Sequence, residues 1–311
     1  MYATTCQSDW RFKAGKRLLP ALYHNCLVQD DDVYYVRVAQ LADLQVVENN
    51  HCSEAGEAMD DRHLVRHLRN SGVRFSHGNA TLWIEKYSMS AAAMDKFAVL
   101  AGQGIEDIKS FLQVPRRAKS KIADEIHYFV SSDVEISYTN SRSVFLPAQR
   151  VRNQSAPYLH ETFHALVPCR HCPLWFSEGF ACYVQSYVAE NFSGYDGAIF
   201  TQAGNDGVDA DATQWAGSRD GKRVLPFIGK NGEPPALRSD RENVAAPFYV
   251  LSHSFVKFLA QCVEPSTLYK ISRSHDFRKA FKRHMDATPA KRRCQWLGSL
   301  ELYSQRHEQS F

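Results

Sequence analysis

The sequence predicts an α+β fold, in which a mixed sheet is followed by a mainly helical second lobe. Two short segments rich in β-branched and aromatic residues, 126–130 and 144–146, have the composition of strands. Before them, apolar residues recur at helical spacing over 90–112, and Gly102 and Gly104 are predicted to break this helix. After them, the apolar periodicity is helical almost to the end of the chain.

Five helices are predicted after the strands, and one long loop interrupts them. Apolar residues at helical spacing place the helices at 157–167, 174–188, 248–262, 277–284 and 293–302. The intervening segment 194–246 is rich in Gly, Asp, Asn and Pro, so we expect a long surface loop beside the functional site.

The chain divides into an N-terminal accessory segment at 1–85 and a core at 86–311. The accessory segment alternates polar stretches with strand-like pieces such as 33–38, and it carries none of the longer helical patterns found later. A chain of 311 residues fits either one large domain or two smaller ones.

The composition is that of a globular protein and argues against several classes of partner. Hydrophobic residues make up 44% of the chain and the formal net charge is only +3, so no strong field favours nucleic acid or an anionic membrane surface. No apolar run approaches the ~18 residues of a membrane-spanning helix. A basic cluster of Lys279, Lys282, Arg283 and His284 comes without stacked aromatic residues or a known nucleic-acid-binding fold and is interpreted as a solvated helix face. We expect no nucleic-acid partner and no membrane span.

The cysteines bear on localisation. Eight cysteines are scattered along the chain, an even number compatible with disulfide bonds in an exported protein. On this basis we expect a periplasmic or secreted protein in preference to a cytoplasmic one. No signal peptide is visible, so under this expectation the signal peptide is absent from this sequence. Cys169 and Cys172 have the spacing of a redox dithiol or of half a structural zinc site. No second pair completes such a site, so we expect a disulfide or two plain thiols instead.

A candidate metal motif lies in a short predicted helix. His160 and His164 lie one turn apart on the same helix face, so their two imidazoles can bind one ion. Ser155 is a candidate N-cap for this helix. Glu161 lies about 100° round the helix from His160, which suits a general base acting on a metal-bound water better than a third ligand. The alternative interpretation is a solvated face with two ordinary histidines.

Glu178 completes a three-ligand set. It lies near the start of the helix that follows Pro173. A catalytic zinc takes three protein ligands and keeps a fourth position for water, and two histidines with one glutamate form a standard set. The sequence therefore predicts one Zn²⁺ ion held by His160, His164 and Glu178. The alternative for Glu178 is an exposed helix carboxylate.

These residues resemble the gluzincin zinc metallopeptidases, in particular the peptidase MA-like group. The family pattern is HExxH followed by a helix beginning W-[FL]-x-E-G-[FL]-A, and residues 175–181 read Trp-Phe-Ser-Glu-Gly-Phe-Ala. Segments 249–256, 276–281 and 296–297 are also similar to the later helices of the family. The resemblance covers about 86–302 and implies a zincin-like fold, with the HExxH helix packed on the sheet and a cleft between the two lobes. It also implies hydrolysis of peptide bonds.

The resemblance further implies roles outside the ligand set. Tyr249 stands where the family places a phenol that donates to the developing oxyanion, with a core tyrosine as the alternative. A sheet edge pairs with the substrate backbone in this family, and 143–146 is the candidate strand. Cys182 departs from the pattern, because thermolysin-like enzymes have at this position an aspartate that orients a zinc histidine. His253 is expected to be structural.

Two other functions share the same residues. A peptide-binding or assembly protein that keeps the fold without useful turnover is disfavoured, because a binding module does not need the base Glu161. A zinc hydrolase of a non-peptide amide differs only in its substrate. The sequence therefore predicts a zinc metallopeptidase that acts on a peptide or protein, with Glu161 and Tyr249 as catalytic residues. The segment by which the aminopeptidase branch binds a free amino terminus is absent. Neither the side-chain preference nor the oligomeric state follows from the sequence.

Overall fold

The computed structural model describes residues 61–113, 125–192, 194–195, 204–238 and 244–308. Within these residues, helices and one five-stranded mixed sheet form an α+β fold, which confirms the α+β class that the sequence predicts. The strand-like piece predicted at 33–38 lies outside the described residues.

The sheet contains two predicted strands and three others. Its strands are β1 (Val73–His77), β2 (Ala80–Ile84), β3 (Ile126–Ser131), β4 (Tyr138–Asn140) and β5 (Ser143–Pro147). Their order across the sheet is β1-β2-β3-β5-β4. The three inner strands β2, β3 and β5 run parallel, whereas β1 and β4 each pair antiparallel with their neighbour. The predicted strands are β3 and β5.

The sheet crosses the boundary predicted at residue 85. β1 and β2 belong to the segment 1–85, yet β2 pairs with β3 along its whole length. The two strands are joined by a tight turn in which Gly78 has a φ of 54°, a conformation that glycine adopts readily. β1 is short and mostly exposed, so its apolar pattern is weak. Residues 73–84 therefore form part of the core sheet.

Helices cover both faces of the sheet and build the second lobe. In chain order they are α1 (Asp61–Ser71), α2 (Ala91–Phe111), α3 (Ala148–Arg152), α4 (Tyr158–Leu166), α5 (Leu174–Asn191), α6 (Val208–Gly217), α7 (Arg219–Val224), α8 (Ala245–Ala260), α9 (Pro265–Ser272), α10 (Phe277–Met285) and α11 (Pro289–Glu308). The predicted helices after the strands correspond to α4, α5, α8, α10 and α11. Among the described residues, no helix has the length and apolar character needed to cross a membrane.

Helix α2 is continuous, although the sequence predicted a break near Gly102 and Gly104. Both glycines allow close packing of the helix. A Cβ added at Gly102 would lie 2.4 Å from the carbonyl oxygen of His77, and one at Gly104 would lie 2.5 Å from Cδ2 of Leu159. Tertiary packing therefore offsets the low helix propensity of glycine at these positions.

The segment 194–246 is not a loop throughout, because it contains α6 and α7. Helix α6 buries Val208, Ala212 and Trp215 at helical spacing. These few apolar residues lie within a run of aspartates and glycines, which concealed their periodicity. Helix α6 packs against α8 and α11, so this part of the segment belongs to the second lobe.

Two apolar clusters lie on opposite faces of the sheet. Side chains alternate along β3, so Tyr128 and Val130 join the larger cluster, while Phe129 joins a smaller one under α1. The larger cluster continues into the helical lobe through residues such as Trp175 and Phe255. Burial on both faces fixes the inner strands, against which the helix carrying the histidine pair packs.

Candidate metal centre

Helix α4 carries His160 and His164 and is anchored to the sheet by its opposite face. Three apolar residues recur at helical spacing in the sequence of this helix, and all three are buried: Leu159, Phe163 and Leu166. Within the same interface, the hydroxyl oxygens of Tyr128 and Thr162 lie 2.7 Å apart and share a hydrogen bond. Packing on the sheet therefore fixes which way the two histidines face.

The start of α4 differs from the prediction. Pro157 occupies the N-cap position and provides no side-chain cap. Ser155, the predicted cap, donates its hydroxyl hydrogen to the carbonyl oxygen of Arg150 at 3.3 Å. The position of α4 thus depends on its buried face and not on a capping side chain.

The structure brings His160, His164 and Glu178 together. Nε2 of His160 lies 3.1 Å from Nε2 of His164, and Oε2 of Glu178 lies 3.2 Å and 3.4 Å from these two nitrogens. Tetrahedral ligands at ~2.0–2.1 Å from a zinc ion are separated from one another by about 3.3 Å. The three side chains therefore fit one metal ion.

The burial and chemistry of the three side chains are those of a site for a divalent transition metal. Each of the three side chains is only 11–18% exposed, so the ligand set lies largely inside the protein. Two imidazoles and one carboxylate bind several divalent transition metals, zinc among them. Across the described ranges, these are the only three His, Cys, Asp or Glu side chains grouped closely enough to hold an ion.

Within the ligand set, the charged forms of His164 and Glu178 stabilise each other. Burial alone would lower the pKa of His164, but the adjacent Glu178 carboxylate outweighs it and raises the pKa to about 9. Burial likewise raises the pKa of Glu178, but His164 and His160 outweigh it and hold the pKa of this carboxyl well below its usual range. In the metal-free protein at neutral pH, an imidazolium–carboxylate pair therefore holds these side chains together.

Zinc binding at pH 7 is expected to release about one proton per chain, because His164 has a pKa of about 9 and must lose its proton to coordinate. Since the proton and the metal compete, the affinity should rise about tenfold per pH unit up to about pH 9 and level off above it. Calorimetry in two buffers with different ionisation enthalpies counts the released protons. A constant affinity between pH 7 and 9 would contradict this expectation.

A matched variant tests the cause of the raised pKa. In metal-free Glu178→Gln protein, the charge that favours the imidazolium is gone, so the pKa of His164 should fall from about 9 towards or below its reference value of about 6.5. Titration of the His164 ring resonances by NMR measures this change directly. An unchanged pKa would show that another group sets it.

Cys182 supplies a contact to His160 that the sequence left unidentified. Its sulfur is buried and lies 3.7 Å from Nδ1 of His160. A partner on the second ring nitrogen fixes the orientation of a metal-binding imidazole. When Nδ1–H donates to this sulfur, the Nε2 lone pair is free to bind metal. Cys182 therefore fills, with a weaker hydrogen-bonding atom, the place where the resembling enzymes have an aspartate.

Glu161 is held by strand β4. Oγ1 of Thr139 lies 2.7 Å from Oε2 of Glu161 and 2.9 Å from its carbonyl oxygen. A hydroxyl carries one proton, so it donates to one of these oxygens at a time. Thr139 could not be predicted from the sequence, because it lies 22 positions from Glu161 and belongs to no motif. The contact fixes the Glu161 carboxylate beside the ligand set.

The sheet edge beside α4 is β4, so the prediction of an edge at 143–146 was wrong by one strand. β5 pairs with β3 on one side and with β4 on the other, which leaves no free edge on β5. β4 has only three residues and shows no periodicity. Asp61, at the start of α1, accepts hydrogen bonds from the Tyr138 hydroxyl at 2.6 Å and from Nδ2 of Asn140 at 2.8 Å. Helix α1 therefore holds the edge strand in place.

Helix α8 carries Tyr249 and His253 in different surroundings. The ring of Tyr249 is partly exposed, and its centroid lies 6.3 Å from that of His160. His253 is fully buried, and its Nε2 lies 2.8 Å from Oδ1 of Asn205. Burial, with the charges of Lys257 and His160, lowers the pKa of His253 to about 3. His253 is thus a neutral core residue, as predicted, whereas Tyr249 faces the ligand set.

Close packing of α5 against α8 sets the position of Tyr249. A Cβ added at Gly179 would lie 2.3 Å from the carbonyl oxygen of Ser252 and 2.9 Å from Cγ2 of Val256. The absence of a side chain at Gly179 therefore lets the backbones of the two helices approach. Glu178 immediately precedes Gly179 on α5, so the close contact at Gly179 also places α8 beside Glu178.

Cys169 and Cys172 are free thiols, one of the two expected states. The Cys172 thiol donates to the carbonyl oxygen of Ser272 at 3.4 Å. This contact joins the connection between α4 and α5 to the end of α9.

No family model, no curated protein and no solved structure matches the chain. The resemblance to the gluzincin peptidases therefore stays a prediction that depends on residues 160–164 and 175–181. The geometry of the ligand set stands independently of that resemblance.

Proposed function

We propose that the chain is a zinc-dependent peptidase of the gluzincin type with a zincin-like fold. The observation that carries this proposal is the triangle formed by His160, His164 and Glu178, whose ligand atoms lie 3.1–3.4 Å apart. These separations agree with the edge of about 3.3 Å expected for a tetrahedral zinc set. Glu161 lies on α4 with the two histidines and supplies the carboxylate that hydrolysis requires as a general base.

Each residue near the ligand set has a different role in the proposed reaction. A zinc ion, when bound, supplies a Lewis acid that polarises a carbonyl group and lowers the pKa of water to about 7. Glu161 accepts the proton of the attacking water and later passes it to the leaving amine. When the Thr139 hydroxyl donates to Oε2 of Glu161, it holds the carboxylate in place and leaves Oε1 able to take the proton. Cys182 keeps the His160 ring in its binding orientation.

Strand β4 offers a place for a peptide backbone. An extended peptide adds to an open sheet edge by main-chain hydrogen bonds, and β4 lies at the edge of the sheet. The contact between Thr139 and Glu161 shows that β4 lies directly on the metal helix. A peptide paired with β4 therefore passes close to Glu161 and the ligand set, which favours a peptide substrate.

A cleavage screen tests the proposed function. Zinc-loaded protein, chelated protein and the Glu161→Gln variant are each incubated with a mixture of peptides, and the products are identified by mass spectrometry. We expect defined cleavages only with the zinc-loaded parent protein. Zinc bound without any peptide cleavage would overturn the proposal.

Tyr249→Phe is expected to lower kcat by about 10²–10³, the scale observed when one hydrogen-bond donor to an oxyanion is removed. A neutral phenol stays protonated at neutral pH and can donate to the oxygen on which negative charge develops. Zinc content and thermal stability should stay nearly unchanged, since only one hydroxyl is lost. Steady-state kinetics with a cleaved peptide measures the effect.

A matched tyrosine serves as the control for this prediction. Tyr187 is also partly exposed, but it packs against Phe111 on α2, so Tyr187→Phe should leave kcat within about a few-fold of the parent. A similarly small change in Tyr249→Phe would remove Tyr249 from the mechanism and identify it as a packing residue.

A further inference from the structure

A basic pocket lies at the end of the metal helix. Its volume is about 390 Å³, within the range of small-ligand sites. Three arginines and two histidines line it, namely Arg142, Arg170, Arg273, His171 and His275. No carboxylate is among the lining side chains. All five basic side chains are exposed to solvent, so an incoming ligand can reach them.

The three arginines have no acidic partner in the part of the chain that the structure describes. None of them forms an ion pair with a described carboxylate. The nearest acidic residue in sequence, Asp276, is engaged elsewhere, because its Oδ1 accepts the backbone N–H of Lys279 at the start of α10 at 2.9 Å. Charges of one sign around a cavity raise the local potential and attract a counter-ion. The pocket is therefore suited to an anion.

Contacts between distant parts of the chain form the walls. The Cys172 thiol donates to the Ser272 carbonyl oxygen at 3.4 Å. Nε2 of His171 lies 3.3 Å from Nδ1 of His275. These contacts hold the connection between α4 and α5 against the end of α9, so the pocket is already formed in the free protein.

The pocket begins where the edge strand and the metal helix both end. Arg142 lies in the turn that follows β4, and Leu166 is the last residue of α4; both line the pocket. Leu166 is roughly 7.5 Å further along the helix axis than Glu161. That distance corresponds to about two residues of extended peptide. A peptide on β4 with its scissile bond at Glu161 therefore reaches the pocket about two residues away.

We propose that this basic pocket is a specificity subsite that binds an anionic side chain of the peptide substrate, about two residues from the scissile bond. The planar guanidinium of arginine binds carboxylate and phosphoryl groups through paired hydrogen bonds, so either group satisfies the pocket. This assignment rests on the proposed peptidase function and names the class of substrate that the same site takes.

Recognition is measured separately from turnover in the full-length, zinc-loaded Glu161→Gln protein. The probes are three peptide mixtures that differ only at one fixed position, which holds aspartate, phosphoserine or asparagine and is moved along the peptide. We expect the aspartate or the phosphoserine mixture to bind at least about tenfold tighter than the asparagine mixture at one position, because charge-assisted hydrogen bonds are lost with asparagine. The mixture that binds more tightly shows whether the pocket prefers a carboxylate or a phosphoryl group.

Variants of the lining assign this preference to the pocket. Arg142→Gln and Arg273→Gln should each reduce the preference to within about a few-fold, because each removes one guanidinium. Lys270→Gln removes the same charge from α9 outside the pocket and should retain the preference. Thermal unfolding of each variant checks that the fold is intact. A preference that survives both arginine substitutions would overturn the proposal.

A last measurement separates this proposal from the function on which it rests. Inorganic phosphate is titrated into the metal-free protein, and the Arg142 and Arg273 side-chain resonances are followed by NMR. If the parent protein cleaves peptides and all three mixtures bind equally at every position, the subsite is wrong and the peptidase function stands. If phosphate shifts these resonances, each arginine variant removes the shift of the other arginine, and yet no peptide is cleaved, the peptidase function is wrong and anion binding stands.

Discussion

Glu161→Gln should retain its zinc and lose peptide hydrolysis by about 10²–10⁴ in kcat, the contribution typical of a positioned general base. The substitution keeps the shape of the side chain, and the amide oxygen can still accept the hydrogen bond from Thr139. Only the ability to take a proton is removed. Zinc content by elemental analysis and kcat on one cleaved peptide are measured on the same preparation.

A control substitution of the same chemistry accompanies this variant. Glu264→Gln makes the same change just before α9, away from the ligand set, and should leave kcat unchanged. If Glu161→Gln retained more than about a tenth of the parent activity, Glu161 would not be the general base. If it lost zinc as well, its effect would be on metal binding.

Glu178→Ala should lose most of its bound zinc, with an affinity lower by at least about 10³-fold. Removing one of three protein ligands leaves only the two imidazoles, which is a greater loss than the ten- to hundredfold typical of losing a contact to a ligand. Hydrolysis should fall with the zinc content. Dialysis against a metal buffer followed by elemental analysis measures the affinity.

Cys182→Ala provides the graded comparison for this variant. It removes the contact to Nδ1 of His160 and leaves all three ligands in place, so zinc binding should weaken only about 10–100-fold. Unchanged zinc content in Glu178→Ala would show that the ligand assignment is wrong. Equal losses in the two variants would show that the contact from Cys182 matters as much for zinc binding as a ligand does.

Spacing along the sequence was sufficient to propose the metal ligands. His160 and His164 are one turn apart, a relation that helix geometry fixes without any tertiary information. Glu178 follows on the next helix, whose start at Pro173 was also predicted correctly, so all three ligands come from one short stretch of chain. The apolar stripe of α4 indicated which face packs on the sheet.

The residues that position the proposed metal ligands and the proposed base could not be predicted from spacing along the sequence. Thr139 and Asp61 reach the site only through the pairing of β4 with β5 and the packing of α1, which depend on contacts between distant residues. The sequence showed that Cys182 departs from the family pattern. Its contact to His160 could not be predicted, because a thiol is a weak hydrogen-bonding group. The break predicted in α2 failed for a related reason, since glycines chosen for tight packing resemble helix breakers in the sequence.

The brevity of β4 affects how the protein behaves at high concentration. An open sheet edge is a template for another copy of the same chain as well as for a substrate, and long exposed edges promote aggregation. β4 contains only Tyr138, Thr139 and Asn140, and the backbone turns away at Ser141, whose φ is 57°. So few backbone groups give a second copy little to pair with. The edge can therefore pair with a short stretch of a peptide beside the ligand set, while extended self-association through it remains weak.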